Sequence, residues 1–114
     1  MKRSTGLFLA FILGLFLQAC SDTKDDAARL SQMSDAERGR AVYVANCVAC
    51  HNNDPAKNGP IGPELKGSSK ELLEARVLSI EYPPNYKPKR DTKIMPKFPF
   101  LKDDIPYLTA YLNQ

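Results

Sequence analysis

Cys47-Val48-Ala49-Cys50-His51 is the stretch on which the reading of this 114-residue chain turns. Residues three apart lie on one face of a helical turn, so the two sulfurs point the same way. That spacing lets both thiols bond the two vinyl-derived carbons of one porphyrin, and the histidine that follows can turn its imidazole to the iron. Cys-x-x-Cys-His is the pattern of covalent haem attachment. The chain has one histidine, so a nitrogen ligand to that iron has to be His51.

Other uses of these residues each need something the sequence lacks. A redox-active disulfide of the thioredoxin kind expects a strand-helix-strand setting, and no alternating or β-branched run flanks the motif. A zinc site would have three ligands here and, among the three cysteines of the chain, only Cys20 to add. A plain Cys47-Cys50 disulfide leaves His51 without a role.

Cys20 has its own context. Lys2 and Arg3 precede an apolar run from Leu7 to Leu17, which reads as an export signal. The run is shorter than the roughly 20 residues needed to span a bilayer. It ends in Leu17-Gln18-Ala19-Cys20, which resembles the lipobox of bacterial lipoproteins, where cleavage falls before the cysteine and its sulfur is lipidated. Residues 1–19 are therefore expected to be a lipoprotein signal peptide, with Cys20 the lipidated first residue. The polar stretch that follows makes residues 20–33 a flexible tether, and residues 34–114 the folded domain. Several acyl chains on one cysteine hold a domain durably at a membrane, whereas a single chain is marginal.

Without Lys2 and Arg3 the 16 basic residues become 14, against 13 acidic ones. That near-neutral balance gives no support to nucleic-acid binding. A domain of about 80 residues is marginal unless something besides side chains enlarges its core.

Helical signals divide the domain into three. Ser34-Asp35-Ala36-Glu37 is a capping box that starts a helix at Asp35 running to about the Cys-x-x-Cys-His turn. Ser68-Ser69-Lys70-Glu71 reads as a second box, followed by Leu72, Leu73, Arg76, Val77 and Ile80 at helical spacing until Pro83-Pro84. Asp103 and Asp104 suit a helix amino end, Pro106 fits its first turn, and Ile105, Leu108, Tyr111 and Leu112 form a buried stripe. The sixth iron position points to Met95, in the proline- and lysine-rich Lys93-Ile94-Met95-Pro96-Lys97-Phe98-Pro99-Phe100. Such a segment makes a rigid loop that presents one side chain inward. The alternative use of Met95 is to fill the core.

These features together resemble the class I cytochromes c over nearly the whole domain. Gly39 and Tyr43 look like the family's first helix, where a glycine admits a crossing helix, and Leu108-Thr109-Ala110-Tyr111-Leu112 looks like the helix that crosses there. Gly62-Pro63-Glu64-Leu65-Lys66-Gly67 is similar to the loop whose proline carbonyl accepts a hydrogen bond from the haem histidine, which gives Pro63 the part of orienting His51. Met95-Pro96 matches the methionine loop.

The resemblance implies an all-α cytochrome c fold, three main helices packed around one haem c attached through Cys47 and Cys50, with His51 and Met95 as the iron ligands. It implies an electron carrier and not an enzyme: a cell-envelope respiratory cytochrome, lipid-anchored with its domain in the periplasm. Its redox partners would be a dehydrogenase and a terminal oxidase or reductase, with the chain a monomer or a subunit of a complex. Two other readings stay open: an electron-entry subunit of a larger membrane oxidoreductase, and a sensor or peroxidase with an open iron. Tyr82, Tyr86 and Arg90 are candidates to bind the haem propionates, or are simply a solvated loop. Lys87, Lys89, Arg90, Lys93 and Lys97 concentrate positive charge beside the ligand loop.

Overall fold

A computed structural model of the chain describes residues 23–90 and 93–114. The signal run, Cys20 and residues 91–92 lie outside the described residues. Two compact units divide at Gln32 and Met33.

In the first unit the described residues form helix α1, Thr23–Gln32. The sequence reads as a flexible tether over residues 20–33; within that stretch the structure has a helix whose residues from Lys24 on are exposed. Its local chemistry favours that outcome. Ala27 and Ala28 are strong helix formers, Asp25 and Asp26 occupy the first turn and Arg29 the last, each complementing the helix dipole.

The second unit is all-α among the described residues. Helix α2, Asp35–Asn46, begins at the expected capping box. The Ser34 hydroxyl accepts from the Glu37 N–H at 3.3 Å, and the Glu37 carboxylate accepts from the Ser34 N–H at 2.8 Å. The Ser34 backbone N–H, then its hydroxyl, hold the Glu37 carboxyl below its ordinary pKa.

The second helical stretch departs from expectation twice. Helix α3 spans Lys70–Leu73 and passes directly into a π-helical segment, Glu74–Ser79. Its cap is Ser69, whose hydroxyl accepts from the Leu72 N–H at 3.2 Å. The capping box expected at Ser68 does not form, because Ser68 is buried and its hydroxyl donates to the Leu65 carbonyl at 2.6 Å. At the far end of this segment the Val77 carbonyl accepts from Phe98 N–H at 2.7 Å, while Glu81 N–H reaches back to the Ala75 carbonyl at 3.0 Å. The wider turn ends at Ile80, which has φ of 59°. A β-branched residue there is strained, and the Arg76 guanidinium caps the Ile80 carbonyl that this turn exposes.

A 3-10 turn, Pro99–Asp104, leads into helix α4, Ile105–Leu112, with Pro106 in its first turn. Pro needs no N–H there. α2 and α4 share the most extensive helix interface. Gly39 makes it possible: a Cβ on it would overlap the Tyr107 carbonyl and crowd Tyr111 Cβ. The end of α4 is tied back by Gly67 N–H to the Leu112 carbonyl at 2.8 Å and by the Asn113 amide to the Ser68 carbonyl at 2.9 Å. Gly67 has φ of 79°, which favours glycine.

The core consists of Tyr43, Leu73, Val77, Leu101, Ile105, Leu108 and Leu112. Seven buried apolar side chains make a small core for about 80 residues, and one side of it opens into a cleft.

Candidate functional site

The Cys47 to His51 turn continues directly from α2. Cys47 N–H bonds the Tyr43 carbonyl at 2.8 Å, and His51 N–H bonds the Cys47 carbonyl at 2.9 Å. Cys47, Cys50 and His51 consequently all line one cleft, and both cysteines are half-buried and not bonded to each other. Burial pushes the Cys47 thiol up to about 11, with Cys50 adding a smaller push.

His51 is buried, with 8% of its surface exposed. Its Nδ1 lies 2.8 Å from the Pro63 carbonyl oxygen. A ring nitrogen facing a carbonyl must carry the proton, which fixes the tautomer and leaves Nε2 with its lone pair for a metal. Burial holds the imidazole below its ordinary pKa; the Pro63 carbonyl works against this, and the Arg90 guanidinium adds to the lowering. A neutral imidazole is the form that ligates iron.

The loop from Gly59 to Pro63 is built around this ring. Ile61 and Gly62 both donate to the Cys50 carbonyl, at 3.2 and 2.8 Å, and Gly59 donates to Gly62 at 2.9 Å. A Cβ on Gly62 would overlap the imidazole, and one on Gly59 would overlap the Cys50 and His51 backbone. Pro63 follows this turn directly, its carbonyl facing the His51 ring.

Facing this side are Leu72, Leu73, Val77, Leu108, Leu112, Ile94, Met95 and Phe98. Met95 is half-buried against the core and lines the same cleft as His51. The cleft encloses about 1180 Å³, its open mouth included. Its chemistry fits a flat apolar cofactor: two thiols, an imidazole with one nitrogen committed elsewhere, a thioether and a largely aliphatic lining. Among the described residues no group of three or more His, Cys, Asp or Glu side chains could hold a metal ion alone.

Tyr82, Tyr86 and Arg90 also line the cleft. The two tyrosine rings stack at 5.4 Å, and the Arg76 guanidinium lies 4.2 Å over the Tyr82 ring. Arg90 donates to the Ile61 carbonyl at 2.8 Å and reaches the Gly59 carbonyl at 3.5 Å. Lys89 pairs with the Glu64 carboxylate at 3.1 Å and donates to the Glu64 carbonyl at 3.2 Å. Of the expected basic cluster, Lys89 and Arg90 are engaged with the His51 side of the cleft, while Lys87, Lys93 and Lys97 are exposed.

One contributor goes beyond its role in the sequence reading. Tyr43, expected as helix packing, also lines the cleft, and its hydroxyl donates to the Asn52 carbonyl at 2.6 Å. That bond ties α2 to the residue after His51. Burial, with smaller contributions from Cys47, Tyr111 and Asp54, pushes the phenol up to about 12, against ~10 in an unfolded chain. The folded state holds this proton more tightly, so the contribution to stability is fully present below about pH 10 and lost as pH rises through about 12. Tyr43→Phe is expected to cost ~1–2 kcal/mol at pH 7, for one lost hydrogen bond to a carbonyl left unpaired. It is also expected to flatten the fall in stability above pH 10. Denaturant titrations at neutral and alkaline pH check both; an unchanged alkaline slope would assign that slope to another group.

The model of the family described as Cytochrome c matches residues 36–114. A protein described as cytochrome c-553-like, from Synechocystis sp. (strain ATCC 27184 / PCC 6803 / Kazusa), is 39% identical over 49 residues, 43% of this chain. The chain spans 45% of that relative's length. No solved structure matches.

Proposed function

The chain belongs to the cytochrome c family, and from that premise we propose that it relays single electrons in a cell-envelope respiratory chain, with His51 and Met95 as the residues that would ligate its haem iron. The reading rests on one observation: Cys47, Cys50, His51 and Met95 line the same cleft. The covalent haem supplies a one-electron couple at its iron. The polypeptide does the rest. Cys47 and Cys50 would hold the ring at the end of α2, and the Pro63 carbonyl faces the His51 Nδ1, which leaves Nε2 free to ligate. The aliphatic wall of Leu72, Leu73, Val77, Leu108 and Leu112 keeps water from that centre. Low polarity and a thioether ligand both favour the reduced, less charged state. Because the ligands come from a helical turn and a proline-bounded loop, little has to move during exchange.

The optical spectrum tests the ligand pair. The oxidised protein is expected to show the weak sulfur-to-iron band near the red end, and the reduced protein to leave its spectrum unchanged under carbon monoxide. A carbon monoxide complex would instead identify an open iron and overturn the relay.

Partners and address extend the same proposal. Lys93 and Lys97, exposed on either side of Ile94 and Met95 in the chain, and the exposed Lys87 suit acidic faces on a dehydrogenase and on a terminal oxidase or reductase. The second-order rate with an acidic one-electron protein is expected to fall roughly tenfold or more between low and high salt. The rate with a neutral small-molecule reductant stays level. Equal salt dependence for the two would remove the steering role. Lipidation at Cys20, with the domain on the periplasmic side, completes the proposal.

A further inference from the structure

The turn that presents Pro63 to His51 is gripped from outside by a residue far along the chain. Its inner face is held by the Cys50 carbonyl, which accepts from Ile61 and Gly62. Its outer carbonyls, Ile61 and Gly59, accept from the guanidinium of Arg90, at 2.8 and 3.5 Å. Nothing in the Gly59–Gly62 turn itself satisfies those two oxygens: the one bond internal to it runs from Gly59 N–H to the Gly62 carbonyl. We propose that Arg90 is a positioning residue for the haem histidine, its forked guanidinium locking the turn on which the His51-to-Pro63 hydrogen bond depends.

Two features make the lock specific to arginine. A guanidinium presents several N–H donors in one rigid plane and can meet two carbonyls at once, whereas an ammonium is a single point charge on a flexible stem. The neighbouring residue reinforces the grip, because Lys89 donates to the Glu64 carbonyl on the far side of Pro63. Contacts before and after Pro63 therefore come from consecutive residues of one segment. That segment is anchored at its other end, where Tyr82 stacks between Arg76 and Tyr86. Release of Arg90 frees the outer face of the turn, so the Pro63 carbonyl drifts from Nδ1 and the imidazole loses the hydrogen bond that fixes its orientation and raises its basicity. The effect reaches the iron through His51, with no contact by Arg90 needed.

The inference rests on His51 holding the haem iron. Its test uses the reduced, uniformly ¹⁵N-labelled holoprotein, following solvent exchange of the His51 Nδ1 proton and of the Ile61 and Gly62 amides by NMR. In the wild type these protons are expected to be protected. Arg90→Met and Arg90→Lys are both expected to speed their exchange roughly tenfold or more, through local opening of the turn. The Leu108 and Tyr111 amides in α4 keep their wild-type rates. Protection by Arg90→Lys equal to wild type would show that charge alone suffices and overturn the proposal. Equal acceleration at Leu108 and Tyr111 would also overturn it, by showing a general loss of stability. The ligand pair is reported separately: a wild-type spectrum without the sulfur-to-iron band removes Met95 as a ligand and leaves the Arg90 comparison standing.

Discussion

A Met95→Ala variant loses the sulfur-to-iron absorption band, and its reduction potential falls by on the order of 0.2 V, a fraction of the about 0.8 V that axial ligands span. A thioether is a soft, neutral donor that favours the reduced iron, and methionine paired with histidine is the arrangement that raises cytochrome potentials. Removing it leaves the iron to water or an exogenous ligand. The reduced variant is then expected to bind carbon monoxide, and the wild type is expected not to. Because Met95 is half-buried and packs on the core, a structural filler would produce a different result: a loss of stability of ~2–5 kcal/mol with the band and the potential retained. Spectroelectrochemistry together with a denaturant titration separates the two. The loop carrying Met95 gives the side chain few other uses. Ile94 beside it is 69% exposed, and Pro96 removes an N–H that could have joined regular structure.

The second large effect concerns the fold itself. Cys47→Ser with Cys50→Ser, expressed and exported as the wild type is, should yield a chain with no covalent haem, depleted helix signal and no cooperative thermal transition. Five of the seven core residues, Tyr43, Leu73, Val77, Leu108 and Leu112, also line the cleft. Their burial depends on what fills it. A fully buried aliphatic side chain contributes ~1.5–3 kcal/mol, and a domain this small rarely has more than ~3–5 kcal/mol in hand. Turning even part of that wall to water removes the margin. Each single serine variant keeps one thioether and should fall between the extremes. Circular dichroism on heating checks the series, and a double variant that melts cooperatively at the wild-type temperature would show that the polypeptide core suffices.

What the sequence made legible follows from how local each signal is. The Ser34 box needs four consecutive residues and formed as read. The apolar stripe of the last helix needs eight, and Ile105, Leu108 and Leu112 are buried as expected, with Tyr111 only half-buried. The Cys47-to-His51 turn is likewise local, and its facing of one cleft follows from helical geometry. Signals that depend on distant partners were read less well. The bond from Phe98 N–H to the Val77 carbonyl, which ties the end of the π-helical segment to a residue 21 positions on, is one that no pattern around residue 77 announces. The second capping box misled because Ser68 and Ser69 are both capable caps, and tertiary packing buried the first. The α1 helix carries good local propensity that a polar composition masked. The grip of Arg90 spans 29 and 31 residues and was visible only as a loop charge.

The covalent bond between chain and porphyrin is the claim on which both large predictions stand. Its most direct test is the intact mass of the matured protein after acid-ketone extraction, a treatment that strips haem held only by ligation. The account predicts that the full mass of one haem stays with the chain, on the peptide carrying Cys47 and Cys50. A colourless protein with the haem recovered in the ketone, and both cysteines still titrating as thiols, would contradict it.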